Sequence, residues 1–337
     1  MRQKSFLILA GVTGIAILAA AGSLLTGGGA PAFAAAGDRL FPNLVSSASD
    51  VAKLSIRHGD FDFDIELRDG KFVEANSGYP VDPEPLKALV SGMMLAQIAE
   101  AKTTDPERHR DLQLADPTAD EGAGHEVVLA NKDGNKLAHV VAGERDYTLG
   151  GVTGGQFVRR GGEDASWLVH GRLDPPTSRK GWFDNRLVEV EAEEISSASL
   201  TTSDGQVISM QGSDGKLSID PELLGERVQA DDKLGRVVAL FESLDFDDVR
   251  NPVETSSTAE SESVLQSTLT DGTVVTLAAF AGADSEEPLW VRIGIEGETE
   301  TASNLKAKTE GFEFALSSFD ADIFDWTMED LTERAEN

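Results

Sequence analysis

The sequence contains no cysteine, which excludes disulfides, thiolate nucleophiles, iron–sulfur clusters and thiolate zinc sites together. Histidine is scarce. The five, His58, His109, His125, His139 and His170, are scattered, and no pair has the i, i+4 spacing with a glutamate that a zincin helix needs. Each reads as a surface or loop side chain. Gly-x-Ser-x-Gly is absent, and so is any glycine-rich loop ending in Gly-Lys-Ser/Thr, which removes the nucleophile elbow and the P-loop. Positive charge is the other shortage: 29 Lys+Arg stand against 59 Asp+Glu, a formal net charge of −30 that repels phosphate backbones. Nucleic acid is therefore not an expected partner, and no cofactor or metal is expected.

What is present is enough to fold. Apolar residues make up 40% of the 337-residue chain, so one large or two ordinary domains can each bury a core. Arg2 and Lys4 precede an apolar run from Phe6 to Leu25, and a Gly/Ala/Pro-rich passage follows from Gly27 to Gly37. This is the pattern of an export segment oriented N-in, C-out. Residues 1–37 thus read as a signal peptide or an N-terminal membrane anchor. Ala32 and Ala34 fit a small-x-small cleavage site, whereas the length of the run, enough to cross about 30 Å of hydrocarbon, favours an uncleaved anchor. The expected location is the cell envelope, with the N-terminus in the inner membrane and the body in the periplasm, or secreted if the segment is cleaved. Without Arg2 and Lys4 the exported part carries 27 basic and 59 acidic residues, a formal charge of −32. That charge reads first as solvation and colloidal repulsion, and second as attraction for a cationic partner or a divalent ion.

The exported part repeats itself. Val51 to Val73 and Ile195 to Ser218 each show alternating apolar residues, a turn at Gly59-Asp60 or Asp204-Gly205, and a second turn at Asp69-Gly70 or Asp214-Gly215. Asp-Gly between alternating runs marks a hairpin, so each half begins as a three-stranded meander. A helix follows in both. In the first, Asp82 serves as N-cap and Pro83 as the first helical residue ahead of Leu86, Leu89, Val90, Met93 and Met94; in the second, Leu234, Val237, Val238 and Phe241 have the same spacing after Asp231 and Asp232. Hairpins around Asp133-Gly134 and Asp271-Gly272 come next. Further strands are expected at 156–160, 166–170 and 289–295. Each half closes on Phe-Asp beside a tryptophan, at Trp182-Phe183-Asp184 and at Phe324-Asp325-Trp326. The expected fold is α+β: two duplicated modules, residues 38–190 and 191–337, each an antiparallel β-meander covered by one amphipathic helix plus further hairpins.

No motif in this frame carries chemistry. Asp60, Asp62, Asp64 and Glu66 resemble a calcium loop, but an EF-hand needs Gly at the sixth place and Glu at the twelfth, where Ile65 and Lys71 stand. Because Phe61, Phe63, Ile65 and Leu67 alternate with the acids, the run reads as one strand with its apolar residues on the core. Gly150 to Gly155 lacks a lysine and a following helix, and reads as a loop. With 59 acids, a pair spaced for glycoside hydrolysis is uninformative. Trp182 and Trp326, at matched places, suit packing better than a ligand platform. Two elements are the candidate interface: the turn Tyr79-Pro80 and the element Trp182-Phe183-Asp184. No residue is assigned a catalytic role.

The chain resembles the family known as domain of unknown function 4340. The resemblance is carried by Arg39-Leu40-Phe41-Pro42 and Leu44, Asp50-Val51-Ala52-Lys53-Leu54, Asp69-Gly70-Lys71-Phe72 and Tyr79-Pro80-Val81-Asp82. It continues through Lys102-Thr103-Thr104-Asp105-Pro106 with Leu112 and Leu114, Phe157-Val158-Arg159-Arg160, Trp167-Leu168-Val169 and Trp182-Phe183-Asp184. It implies a membrane-tethered extracytoplasmic protein associated with ABC-type transport systems of the gliding-motility kind. The expected function is an accessory, scaffold or binding protein of such a transport or envelope complex, with protein partners there, membrane contact through the N-terminal segment and no catalysis of its own. The alternatives are an exported carboxylate-dependent hydrolase and a cation or small-ligand binder.

Overall fold

The computed structural model describes residues 37–149, 154–253, 262–280 and 287–334, so the export segment and most of the Gly150–Gly155 loop lie outside the described residues. Among the described residues no helix is long and apolar enough to cross a membrane. The chain divides into two compact units between Asp184 and Asn185. This division falls a few residues before the repeat boundary read from sequence, because Arg186–Glu189 pairs with Ser243–Asp245 inside the second unit.

In the first unit β1 (Lys53–His58), β2 (Phe61–Arg68) and β3 (Lys71–Glu74) form the expected meander. At the second turn Asp69 and Gly70 have φ of 49° and 80°, the left-handed pair that a type I′ hairpin requires. Along β2, Phe63 and Ile65 are buried, while Asp64 faces away and is held by Arg57 at 2.8 Å; Leu67, expected on the core face, is exposed. The helix α1 (Pro83–Leu95) starts as read: the Asp82 carboxylate accepts from the Glu84 N–H at 2.9 Å, and Leu86, Leu89, Val90, Met93 and Met94 are buried. There follow β4 (Gln97–Ala101), β5 (His125–Ala130), β6 (Lys136–Asp146), β7 (Gly155–Arg160) and β8 (Ser166–His170). The eight strands are antiparallel in the order β3-β2-β1-β5-β6-β7-β8-β4.

The second unit contains β9 (Arg186–Glu189), β10 (Ile195–Thr201), β11 (Val207–Ser213), β12 (Lys216–Ile219), β13 (Arg227–Gln229), α2 (Asp231–Glu242), β14 (Ser243–Asp245) and β15 (Asp248–Arg250). After these come β16 (Ser263–Leu269), β17 (Val274–Phe280), β18 (Trp290–Glu296), α3 (Glu300–Thr309), β19 (Glu313–Ala315) and β20 (Thr332–Arg334). The main sheet runs β12-β11-β10-β16-β17-β18-β19-β15. Strand for strand this is the order of the first sheet, so the repeat read in the sequence is a repeat of topology. The closing Phe-Asp elements match as well, each beginning in a single 3-10 turn, Arg179–Trp182 and Asp322–Asp325. The second unit differs by the helix α3 between β18 and β19 and by two short ribbons, β9 with β14 and β13 with β20.

Two substitutions test the helix reading. Asp82→Ala removes the N-cap acceptor and should cost about 1 kcal/mol. Gly235 lies in the middle of α2 with nothing within 4 Å of where a Cβ would stand, so Gly235→Ala should gain about 0.5–1 kcal/mol. Chemical denaturation should show opposite shifts of midpoint; shifts of the same sign would contradict the assignments.

Candidate functional site

The candidate interface residues are brought together in the first unit. The 3-10 turn Arg179–Trp182 leads Trp182 and Phe183 onto the sheet, where Trp182 stacks on Phe63 at 5.6 Å and Phe183 meets Phe63 and Tyr79 edge-on at 5.8 and 5.6 Å. The Asp82 N–H donates to the Trp182 carbonyl at 2.8 Å, which fastens the start of α1 to the same element. All four rings are buried, and of the candidate interface residues Pro80 and Asp184 are exposed. Burial and the charge of Asp184 push the Tyr79 hydroxyl well above its ordinary value. Beneath the turn lies the buried carboxylate of Glu74, which accepts from the N–H and hydroxyl of Ser77 at 2.6 Å each and faces Arg179 at 3.6 Å. Burial raises its pKa, but these donors outweigh burial and hold it below the usual carboxylate value.

A second cluster of the same unit forms an open recess of about 390 Å³, lined by Gln113, His125, Gly143, Glu144, Arg145, Tyr147, Gln156, Asp174, Pro175 and Thr177. Its wall is a β-bulge. The β6–β7 register shifts between Ala142 and Arg145, which frees Gly143 and Glu144 from regular pairing and turns Arg145 toward the recess. Only glycine fits at 143, because a Cβ there would collide with the Leu112 carbonyl. Gln156 is buried and spends its amide on the frame: it donates to the Gly143 carbonyl at 3.0 Å and accepts from the Leu173 N–H at 2.6 Å. Asp174 stands opposite. It accepts from Arg145 at 3.0 and 2.6 Å, from Arg172 at 2.7 Å and from Gln156 at 3.4 Å. With its acceptor positions engaged by two guanidiniums and an amide, Asp174 positions Arg145 and is ill placed to act as a base.

His125, which lines the recess, belongs to a histidine pair. His58 ends β1 and His125 begins β5, and because Arg57 lies opposite Glu126 the two rings meet across the strands at 3.9 Å. His58 reaches the Gly124 carbonyl with Nδ1 at 3.3 Å, whereas Nδ1 of His125 is buried with no partner among the described residues. Burial first, then the neighbouring ring, lowers the His125 pKa, and Asp174 opposes them. The recess therefore presents the Asp174-held guanidinium of Arg145 together with Gln113, Glu144 and Tyr147, and the buried Nδ1 of His125 lies behind its wall. That set suits recognition of a polar group more than turnover.

Sequence reading missed this cluster. His58 and His125 belong to strands whose pairing no local signal gives, and the usable hints were Gly143 inside a strand pattern and the polar Gln156 in an apolar one. Of the other histidines, His170 is exposed as expected, whereas His109 is buried with Nε2 at 2.9 Å from the Asp164 carbonyl and His139 meets Glu126 at 2.7 Å. Among the described residues no group of histidine, aspartate or glutamate is arranged to hold a metal ion.

The model of the family described as Domain of unknown function (DUF4340) matches residues 72–265, more than half of the chain, from β3 of the first unit into β16 of the second. The chain belongs to this family. Within this DUF4340 protein the matched segment includes the Tyr79 turn and all the recess residues. No curated protein and no solved structure matches the chain.

The histidine pair gives a pH prediction for the DUF4340 protein. The folded unit keeps His125 neutral at pH values where the unfolded chain takes up a proton, so stability falls as pH drops below about 6.5. In His125→Phe the loss of melting temperature from pH 7 to pH 5 should be smaller than in the wild type; an equal loss would show that the pair does not carry it.

Proposed function

We propose that the chain is a membrane-tethered extracytoplasmic accessory protein that binds other proteins in a transport or envelope complex and performs no turnover. The observation that carries the reading is the repeated topology: two modules of one strand order in one chain, which is an arrangement for presenting binding surfaces. The engaged Asp174 carboxylate in the first unit's recess supports recognition over acid–base work. The hydrophobic run from Phe6 to Leu25 supports the tether. A second reading, binding of a small polar ligand, is favoured by the polar lining of that recess, where Arg145 stands with Gln113, Glu144 and Tyr147.

The test is affinity purification of the tagged chain from native membranes in mild detergent, beside a form lacking residues 1–37. A permease or ATPase in stoichiometric amount with the anchored form is the expected result. Recovery of the chain alone, processed and soluble, would overturn the accessory reading and leave ligand screening on Arg145→Ala and His125→Ala as the measure of the second.

A further inference from the structure

The two units treat the same sheet edge differently. In the first, the outer side of β3 is occupied by the chain itself. The Glu74 N–H donates to the Tyr79 carbonyl at 2.9 Å, the Val81 N–H donates to the Phe72 carbonyl at 3.1 Å, and Val73 and Pro80 form an antiparallel bridge between them. A short extended segment, Tyr79-Pro80-Val81, thus lies along the edge as an added strand, with Tyr79 and Val81 buried.

When the units are aligned on Asp69-Gly70 and Asp214-Gly215, Phe72 corresponds to Leu217 and Glu74 to Ile219. The donor matching Glu74 is met by a side chain only: the Ile219 N–H donates to Gln229 Oε1 at 3.2 Å. The carbonyl matching that of Phe72 belongs to Leu217, and no segment of the second unit corresponding to residues 79–81 lies along β12 among the described residues. Residues 227–229, which could have supplied one, pair with β20 instead. Along this edge is a groove of about 500 Å³, within the size range of built ligand sites, walled by Lys216, Leu217 and Ser218 of β12, by the Gln229 side chain, and by Leu234, Gly235 and Val238 of α2. Leu217, Leu234 and Val238 bring the edge of the apolar core up to it. Gly235 keeps the helix wall low, since any larger side chain there would point into open space.

We propose that this groove receives an extended apolar segment of a partner protein, added as a further strand on β12 beneath α2 and flanked by basic residues. The first unit supplies the apolar and extended part of the argument, because it holds such a segment at the same edge. Charge supplies the rest. The second unit, residues 185–337, has 34 Asp+Glu against 10 Lys+Arg, whereas residues 38–184 have 25 against 17. Asp231 and Glu242 line the groove at the two ends of α2, so a cationic flank is attracted and an acidic one repelled even though Lys216 sits on the strand wall. The proposal goes beyond the accessory reading and stands without it, because the groove would take this strand from any partner chain.

The probe is a synthetic, fluorescently labelled peptide with the core Gly-Tyr-Pro-Val of residues 78–81 and two lysines at each end, titrated into the protein by anisotropy. Saturable binding is expected, weakened at least about tenfold when the lysines are replaced by glutamates and when the valine amide, the counterpart of the Val81 donor, is N-methylated. Gly235→Leu, which fills the groove from the helix side, should weaken binding at least as much while circular dichroism stays that of the wild type. The peptide variants carry the test if Gly235→Leu fails to fold. Absence of saturable binding, or binding indifferent to N-methylation, overturns the strand-addition proposal; binding indifferent to the lysine-to-glutamate change overturns its charge.

Discussion

An open antiparallel sheet has two edge strands whose outward N–H and C=O groups need partners, and most of this structure follows from how each edge is met. In the first unit Tyr79-Pro80-Val81 covers β3. At the other end of the sheet, residues 38–40 cover β4: the Ile98 N–H donates to the Asp38 carbonyl at 3.0 Å, the Leu40 N–H donates to the Ala96 carbonyl at 2.9 Å, and Arg39 bridges to Gln97. Both covering segments are held by apolar anchors, Leu40, Phe41 and Leu44 on one side and Tyr79 and Val81 on the other. Tyr79 and Val81 lie inside the segment that the family model matches, and Leu40, Phe41 and Leu44 lie before it.

Buried carboxylates do related work. Glu74 ends β3 and is held by Ser77 and Arg179; Glu313 lies on β19, where Arg250 reaches it at 3.1 Å from β15 and Arg292 at 2.7 Å from β18. Glu313 faces both arginines across the ladder, so a shift of either neighbouring strand would strand a buried charge. Arg250 lies over the Trp290 ring at 3.9 Å and Arg292 over Phe280 at 5.1 Å, so each guanidinium also packs on an aromatic face. Such a group contributes more to choosing the register than to net stability.

The legible elements were those whose signals are local. Asp-Gly turns with alternating neighbours gave both meanders and the later hairpins, and Asp82-Pro83 with five periodic apolar residues gave α1. The rest was hidden for identifiable reasons. β4 buries none of its five side chains fully, so Gln97-Ile98-Ala99-Glu100-Ala101 shows no period to read. β15 and β19 are three residues each, and α3 buries only Ala302, Leu305 and Thr309, too thin an apolar stripe to stand out in an acidic segment. The recess depended on contacts between β1 and β5 and on a bulge in β6, and neither is encoded within a window of neighbouring residues. The Tyr79 and Trp182 elements were legible as a pair because each is an aromatic beside a turn; that their rings face inward is a property of the packed unit.

Shared topology does not oblige the two units to share a task. The first closes the outer side of β3 with its own chain and concentrates its unusual polar groups in the recess beside the β6 bulge. The second frees residues 227–229 for β20, keeps a glycine in the middle of α2 despite its cost to the helix, and carries most of the molecule's excess negative charge. A helix-interior glycine, an edge carbonyl left uncovered among the described residues and an acidic surface are each tolerable as accidents. Together at one edge, opposite a sister unit in which the same edge is filled, they describe a position relieved of its internal strand.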